Sequence, residues 1–359
     1  MKRQMMLRAA ASLLVLLTLT GCVSPAAAQT VYNRYSRSDL SVFDTVIQII
    51  GFAPDQESFD RIATEAIERL RALDHAFDGY NEYEGLHNLY YVNAHAAEGP
   101  VSVPEELFAL LSWCKAQWEQ GRRETNVAMG AVLSIWHEYR EEGLAHPEAA
   151  KLPPSDALTA ANAHTDFDQV ILDAEKQTVF FADPALRLDI GAVAKGYAAD
   201  QIASYLFTEM PSFLLSLGGN VYAGHAPLDG RTAWAVGVQD PRPGENSASG
   251  IMDILDVTDR TVVTSGDYWR YYTVDGIRYH HIIDPATLSP SRRMLSVTVV
   301  CQDSTLADFL STTLFVLDYE PGRQLVDSLE GVDALWVLPD GAVRATDGMA
   351  SYARSLKNP

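Results

Sequence analysis

Three cysteines in 359 residues are too few for a disulfide framework. Cys22 lies in the first apolar segment, which leaves Cys114 on an apolar helical face and Cys301 at the end of the strand-like run Leu295–Val300. Two buried, unpaired thiols are expected, and no Cys/His cluster of zinc type exists. Basic charge is also scarce: 27 Lys and Arg face 47 Asp and Glu, for a formal net charge of -20. A surface this acidic argues against nucleic acid or anionic lipid as a partner held through a basic patch. An anionic ligand would need local cations, backbone amides or a metal. Past the N-terminus no run is long and apolar enough to cross a membrane. Internal repeats, low-complexity tracts and Pro/Ser-rich linkers are missing too, so the chain fits one large domain or two small ones.

What is present begins with a leader. Lys2, Arg3 and Arg8 precede the apolar run Leu13–Leu19, which is too short for a final anchor. Leu19-Thr20-Gly21-Cys22 resembles the lipobox of bacterial lipoproteins, in which cleavage leaves a lipidated cysteine; the other reading is an ordinary cleaved leader with an incidental Cys22. The expected division is a signal at 1–21, a tether from Cys22 through residue 35, and one catalytic domain over 36–359. Losing the leader's three cations takes the net charge to about -23. Several acyl chains on Cys22 would fix the protein to the outer side of the bacterial cell membrane.

Apolar positions Phe59, Ile62, Ala66, Leu70, Leu73 and Phe77 step by three and four, an amphipathic helix over 58–77. A second helix starts near Pro104 and a third covers Gly130–Arg140. Later segments read as short strands between turns: Val170–Leu172, Thr178–Phe181, Phe213–Leu217, Ala233–Val238, Met252–Val257, Thr261–Thr264 and Ser296–Val300. A helix over Thr305–Leu317 and a hairpin around Pro339-Asp340-Gly341 follow. Helices early and strands late predict an α+β fold, a single domain with N-terminal helices and a strand-rich antiparallel or mixed core.

The most informative stretch is Leu188-Asp189-Ile190-Gly191-Ala192-Val193-Ala194-Lys195-Gly196-Tyr197. It sets a carboxylate, two glycines and a lysine where an apolar strand should meet a helix, a place that can grip phosphate through free N–H groups and a nearby cation. Asp308 and Thr312 lie four apart on the last helix, so both face one way. An acid and a hydroxyl so placed suit a hard cation such as Mg²⁺; they equally describe a solvated Asp with a Thr packing sideways. His280 and His281 end a strand and point to opposite faces, so one of them enters a given cleft. His281, followed by Asp284-Pro285 in a turn, is the better candidate for a general base or a phosphate contact. Thr264-Ser265-Gly266-Asp267-Tyr268 and Leu217-Gly218-Gly219-Asn220 are glycine turns with N–H groups to offer.

In order along the chain, these segments and Phe43-Asp44-Thr45, Phe77-Asp78-Gly79-Tyr80-Asn81 and Asn126-Val127-Ala128-Met129-Gly130 resemble the FAD:protein FMN transferases, the ApbE family. The resemblance spans roughly Phe43 to Leu317. It implies Mg²⁺ on the Ala192 carbonyl and the Asp308 and Thr312 side chains. It implies a flavin nucleotide against Tyr80, the Met129-Gly130-Ala131 turn, Asp189, Lys195 and Ile282, with Phe43 on the adenine side. Three departures stand out: Leu288 where many members have Gly, so the turn after Asp284-Pro285 should close differently; Ser311 where some carry a third carboxylate; and Phe43-Asp44-Thr45 for Met-Gly-Thr.

The implied reaction is Mg²⁺-dependent transfer of FMN from FAD to a threonine or serine hydroxyl of an exported or membrane-bound flavoprotein acceptor, releasing AMP. His281 would take the hydroxyl proton and Asp284 would orient it. Two other readings fit the same residues. One is a Mg²⁺-dependent FAD pyrophosphatase giving FMN and AMP; the other is a non-catalytic flavin-binding lipoprotein, which would need neither Asp308 with Thr312 nor His281.

Overall fold

A computed structural model describes residues 30–242, 250–268 and 270–357. The leader, Cys22 and most of the expected tether lie outside the described residues. Among those described, eight strands form one antiparallel sheet: β1 (Asn33–Val42), β2 (Thr45–Ala53), β3 (Phe213–Leu217), β4 (Asn220–Ala223), β5 (Arg260–Gly266), β6 (Ser296–Cys301), β7 (Asp333–Val337) and β8 (Val343–Ala345). Each pairs with the next, so the sheet is a meander into which everything else is inserted.

The expected helices fall at α1 (Gln56–Phe77), α3 (Glu105–Glu119), α4 (Gly130–Ala145) and α6 (Ser304–Val316), with the short α2 (Leu89–His95) and α5 (Ala194–Glu209) between. Alternate side chains of each strand go to opposite faces, so β2 feeds two cores. Ile47 and Ile49 join the core under α1, α3, α5 and α6. Ile50 and Phe52 join a second core, closed by the hairpin Trp234–Gln239/Ile251–Val257 on the other face. A smaller cluster around Met129, Trp136 and Tyr272 fixes α4 against the hairpin Tyr271–Val274/Ile277–His280.

Two expectations need correction. Among the described residues two strands, β1 and β2, precede α1, and β1 starts at Asn33, inside the stretch read as tether. β1 is an edge strand of mostly polar, half-exposed residues, so it carries no apolar alternation to read. Nor is Leu188 on a strand. Leu186–Ile190 is extended chain held by single contacts, because its neighbours are loops and not a ladder. Cys114 and Cys301 are buried and unpaired, as expected.

Candidate functional site

The site is organised where α5 crosses α6. The residue before α5 is Val193, whose side chain has no oxygen to cap the helix. The cap comes from the other helix: Asp308 Oδ2 accepts from Gly196 N at 2.8 Å. A Cβ on residue 196 would stand 2.3 Å from the Ser304 carbonyl oxygen and 2.6 Å from Asp308 Cβ, so only glycine permits this approach. The service is returned. Asp200 of α5 accepts from Ser304 N at 2.9 Å, Thr305 N at 2.8 Å and Thr305 Oγ1 at 2.7 Å, capping α6.

Burial raises the Asp308 carboxyl above the usual carboxylate range, against the Lys195 charge and the Gly196 hydrogen bond. Lys195 Nζ stands 4.0 Å from Asp308 Oδ2. Asn220 Nδ2 also faces this carboxylate, yet it is buried without a hydrogen-bond partner. With Gly196 N–H spent on Asp308, the Ala192 carbonyl is not taken by that amide. Thr312 lies one turn beyond Asp308 and is half-buried. A carboxylate, a hydroxyl and a carbonyl are the oxygen donors that a hard cation takes, so the residues fit Mg²⁺. Among the described residues no three His, Cys, Asp or Glu side chains converge, which excludes an all-side-chain cage there. Ser311 donates to the Asp308 carbonyl at 2.9 Å and meets Ser265 Oγ at 2.8 Å, so it buttresses the helix and does not replace a third acid.

Asp189 is brought to α5 by a clamp that sequence reading missed. Asn93 binds both sides of Leu188: Nδ2 donates to the carbonyl at 2.9 Å, and Oδ1 accepts from the amide at 2.8 Å. Asp189 N then donates to Val127 O at 2.8 Å, and Gly130 N to Arg187 O at 3.0 Å. The 126–130 and 186–191 segments are thereby joined. Gly130 is required, since a Cβ would lie 2.6 Å from the Arg187 carbonyl oxygen. Thr125 Oγ1 meets Thr313 Oγ1 at 2.8 Å, tying the same loop to α6. The Met129 and Ile282 side chains are core, and the Ile282 amide and carbonyl are already bonded to His280 Nδ1 and Ser291 N. Ile282 thus offers a ligand no polar contact, because its backbone is closing the loop. Ala131, in the first turn of α4, is only half-buried.

Tyr80 is presented by an Asp-centred turn. Asp78 Oδ1 accepts from Tyr80 N at 2.7 Å and Asn81 N at 3.1 Å. Buried Asn88 ties that turn down by donating to Asp78 O at 3.0 Å and Asn81 O at 2.8 Å. Its place just before α2 is a cap signal legible in sequence. Tyr80 stays 56% exposed, yet the protein around it, with Asp189 beside its phenol, raises its proton affinity. An open ring so surrounded lines a cleft. It leans on His137 at 4.6 Å between ring centroids.

His281 is near Arg270, Arg140 and Lys195, and burial, helped by these and by His280, lowers its pKa to about 3. Its Nδ1 is buried with no partner. His280 points away, with Nε2 2.8 Å from the Ser291 carbonyl oxygen, so strand alternation separates the two rings as expected. Asp284 is engaged within its own turn. Its Oδ1 accepts from Ala286 N at 2.8 Å, its Oδ2 meets Arg293 Nη2 at 3.4 Å, and its carbonyl closes the turn on Leu288 N. Asp284 is a turn residue because the chain folds back on it at once. In that turn Leu288 stands at φ 56°, in the left-handed region that glycine accepts more readily. Phe43 and Asp44, at φ 55° and 49°, make the tight β1–β2 turn beside the cleft mouth.

Fold and site together define an α+β protein that brings an open aromatic ring, local cations and oxygen donors fit for a hard cation together near the α5–α6 crossing. The ApbE family model matches residues 43–336, and the chain belongs to that family. It is 35% identical over 339 residues to an FAD:protein FMN transferase of Treponema pallidum, covering 90% of both chains. An FAD:protein FMN transferase of Vibrio cholerae is 28% identical, with 96% of each chain covered. The crystal structure of the ApbE protein of Thermotoga maritima superposes with a TM-score of 0.76 at 28% identity, over 90% of this chain and 100% of that one.

Proposed function

We propose that this protein transfers FMN from FAD to a threonine or serine hydroxyl of an exported acceptor protein and releases AMP, with Mg²⁺ bound. The observation that carries the reading is Asp308, a buried carboxylate beside Lys195 and one helical turn from Thr312. The Asp308 carboxylate, the Thr312 hydroxyl and the Ala192 carbonyl would hold the cation. When bound, Mg²⁺ offsets charge that builds on the pyrophosphate oxygens.

The protein's own residues do the rest. Tyr80 stacks on a ring of the dinucleotide, and Lys195 meets phosphate. His281 is an uncharged imidazole, held so by burial and by neighbouring cations. An anionic nucleotide turns those cations toward phosphate, which raises the proton affinity of His281 and fits it to take the hydroxyl proton. A P–O bond forms between the acceptor oxygen and the FMN phosphorus as the P–O bond to AMP breaks, and AMP carries the bridging oxygen away. Lipid on Cys22 would hold the enzyme on the outer side of the cell membrane, raising its effective concentration toward a membrane-bound acceptor.

Incubating residues 23–359 with FAD, Mg²⁺ and an acceptor domain, then weighing the acceptor intact, tests this. The expected gain is FMN less water, absent with Asp308→Ala. FMN and AMP with no gain on an authentic acceptor would make the protein a pyrophosphatase. Intact FAD throughout would leave a binding protein.

A further inference from the structure

In that scheme Arg270 acts only as one of several cations near His281. Tyr271 pairs with His280 at the end of the hairpin ladder, and Arg270 and His281 are the next residues on the two chains, with Arg270 close enough for its charge to act on His281. Arg270 is exposed and sits at φ 48°, a left-handed conformation unfavourable to any side chain with a Cβ. Its Nη2 reaches the Phe43 carbonyl at 3.5 Å, near the limit of a hydrogen bond. Among the described residues no carboxylate pairs with it, although acids outnumber bases 47 to 27 in the chain.

The other two cations near His281 are partly engaged. Arg140 Nη2 meets His137 Nδ1 at 2.8 Å and Glu141 Oε1 at 3.3 Å. Lys195 stands at Asp308. Arg270 alone of the three keeps its guanidinium unspent, on a strained backbone, at the mouth between the Phe43 turn and His281. Strain of this kind marks positions that the surrounding fold holds in place, and a planar guanidinium matches phosphate through two parallel N–H bonds.

We propose that Arg270 grips the phosphate that is transferred and holds it against His281. The proposal rests on the flavin-transfer reading and names a phosphate-binding residue for it. It predicts that Arg270 discriminates flavins by phosphate alone.

The test measures binding of riboflavin, FMN and FAD to the full mature chain by flavin fluorescence, for the parent, Arg270→Gly and Arg270→Lys, alongside Tm. Arg270→Gly is expected to weaken FMN and FAD about tenfold and to leave riboflavin within about twofold. It should not lower Tm, because glycine accepts the left-handed backbone. Arg270→Lys keeps the charge and recovers part of the loss. Unchanged FMN and FAD affinity overturns the proposal, and so does an equal loss for riboflavin or a fall in Tm, either of which marks a structural role. A parent that binds none of the three flavins overturns the flavin reading itself, and the parent measurement separates that failure from the others.

Discussion

At the α5–α6 crossing the two helices cap each other, Asp308 on Gly196 and Asp200 on Ser304 and Thr305, with a glycine clearing the contact. At the cleft mouth the opposite holds: His281 Nδ1 has no partner, Tyr80 is more than half exposed, and Arg270 keeps a left-handed backbone. The crossing is preorganised by groups that need one another. The mouth holds a polar group without a partner. The proposed function, which places one cation and then admits a dinucleotide and a protein, needs both conditions.

The largest predicted change breaks the mouth by protonation. Burial lowers the pKa of His280 to about 4 and of His281 to about 3. The unfolded chain, with its imidazoles near 6.5, takes up protons first, so this stability is full above 6.5 and drains as pH falls toward the folded values. Between pH 7 and 5 each ring should cost about 2 kcal/mol. Urea midpoints of the flavin-free protein should drop accordingly, and His281→Gln should remove about half of the slope; a flat profile would refute it.

Gly196→Ala attacks the crossing instead, by driving a methyl group into the Ser304 carbonyl. A loss of about 3 kcal/mol is expected from equilibrium denaturation; an unchanged midpoint would mean that the helices slide freely. Asn88→Ala sharpens the contrast from the other side, since Asn88 is a buried scaffold of an open loop. It should cost about 2 kcal/mol and also weaken FAD binding in a fluorescence titration; stability loss with intact FAD affinity would detach the Tyr80 loop from the ligand. The smallest effect has the opposite sign. Asp44→Gly should stabilise by about 0.5–1 kcal/mol, as glycine suits φ 49°, and a lower Tm would argue that the Asp44 side chain holds the turn.

The sequence was legible where a pattern is local. The three- and four-residue steps of α1 mark it because one face is core and the other water. β1 is unreadable for the converse reason: the face it half-buries carries Tyr35, Arg37 and Asp39, so its burial alternates without an apolar pattern. β2 is buried on both faces, so its apolar run has no period. The Asp308, Thr312, Lys195 and His281 positions were marked by ordered motifs. Asp200, Asn93 and Arg270 were not, because each acts on residues brought near only by folding. The local engagement of Asp284 was equally hidden: one oxygen accepts from Ala286 N in the turn and the other meets Arg293, nine residues on.

The reciprocal caps also have a kinetic side. Gly196 and Asp308 are 112 residues apart, and Asp200 and Ser304 are 104. Neither cap exists until a long loop has closed, and such closures come late in folding. A partly folded chain therefore carries no half-made site: acid, carbonyl and hydroxyl meet only once α6 has docked.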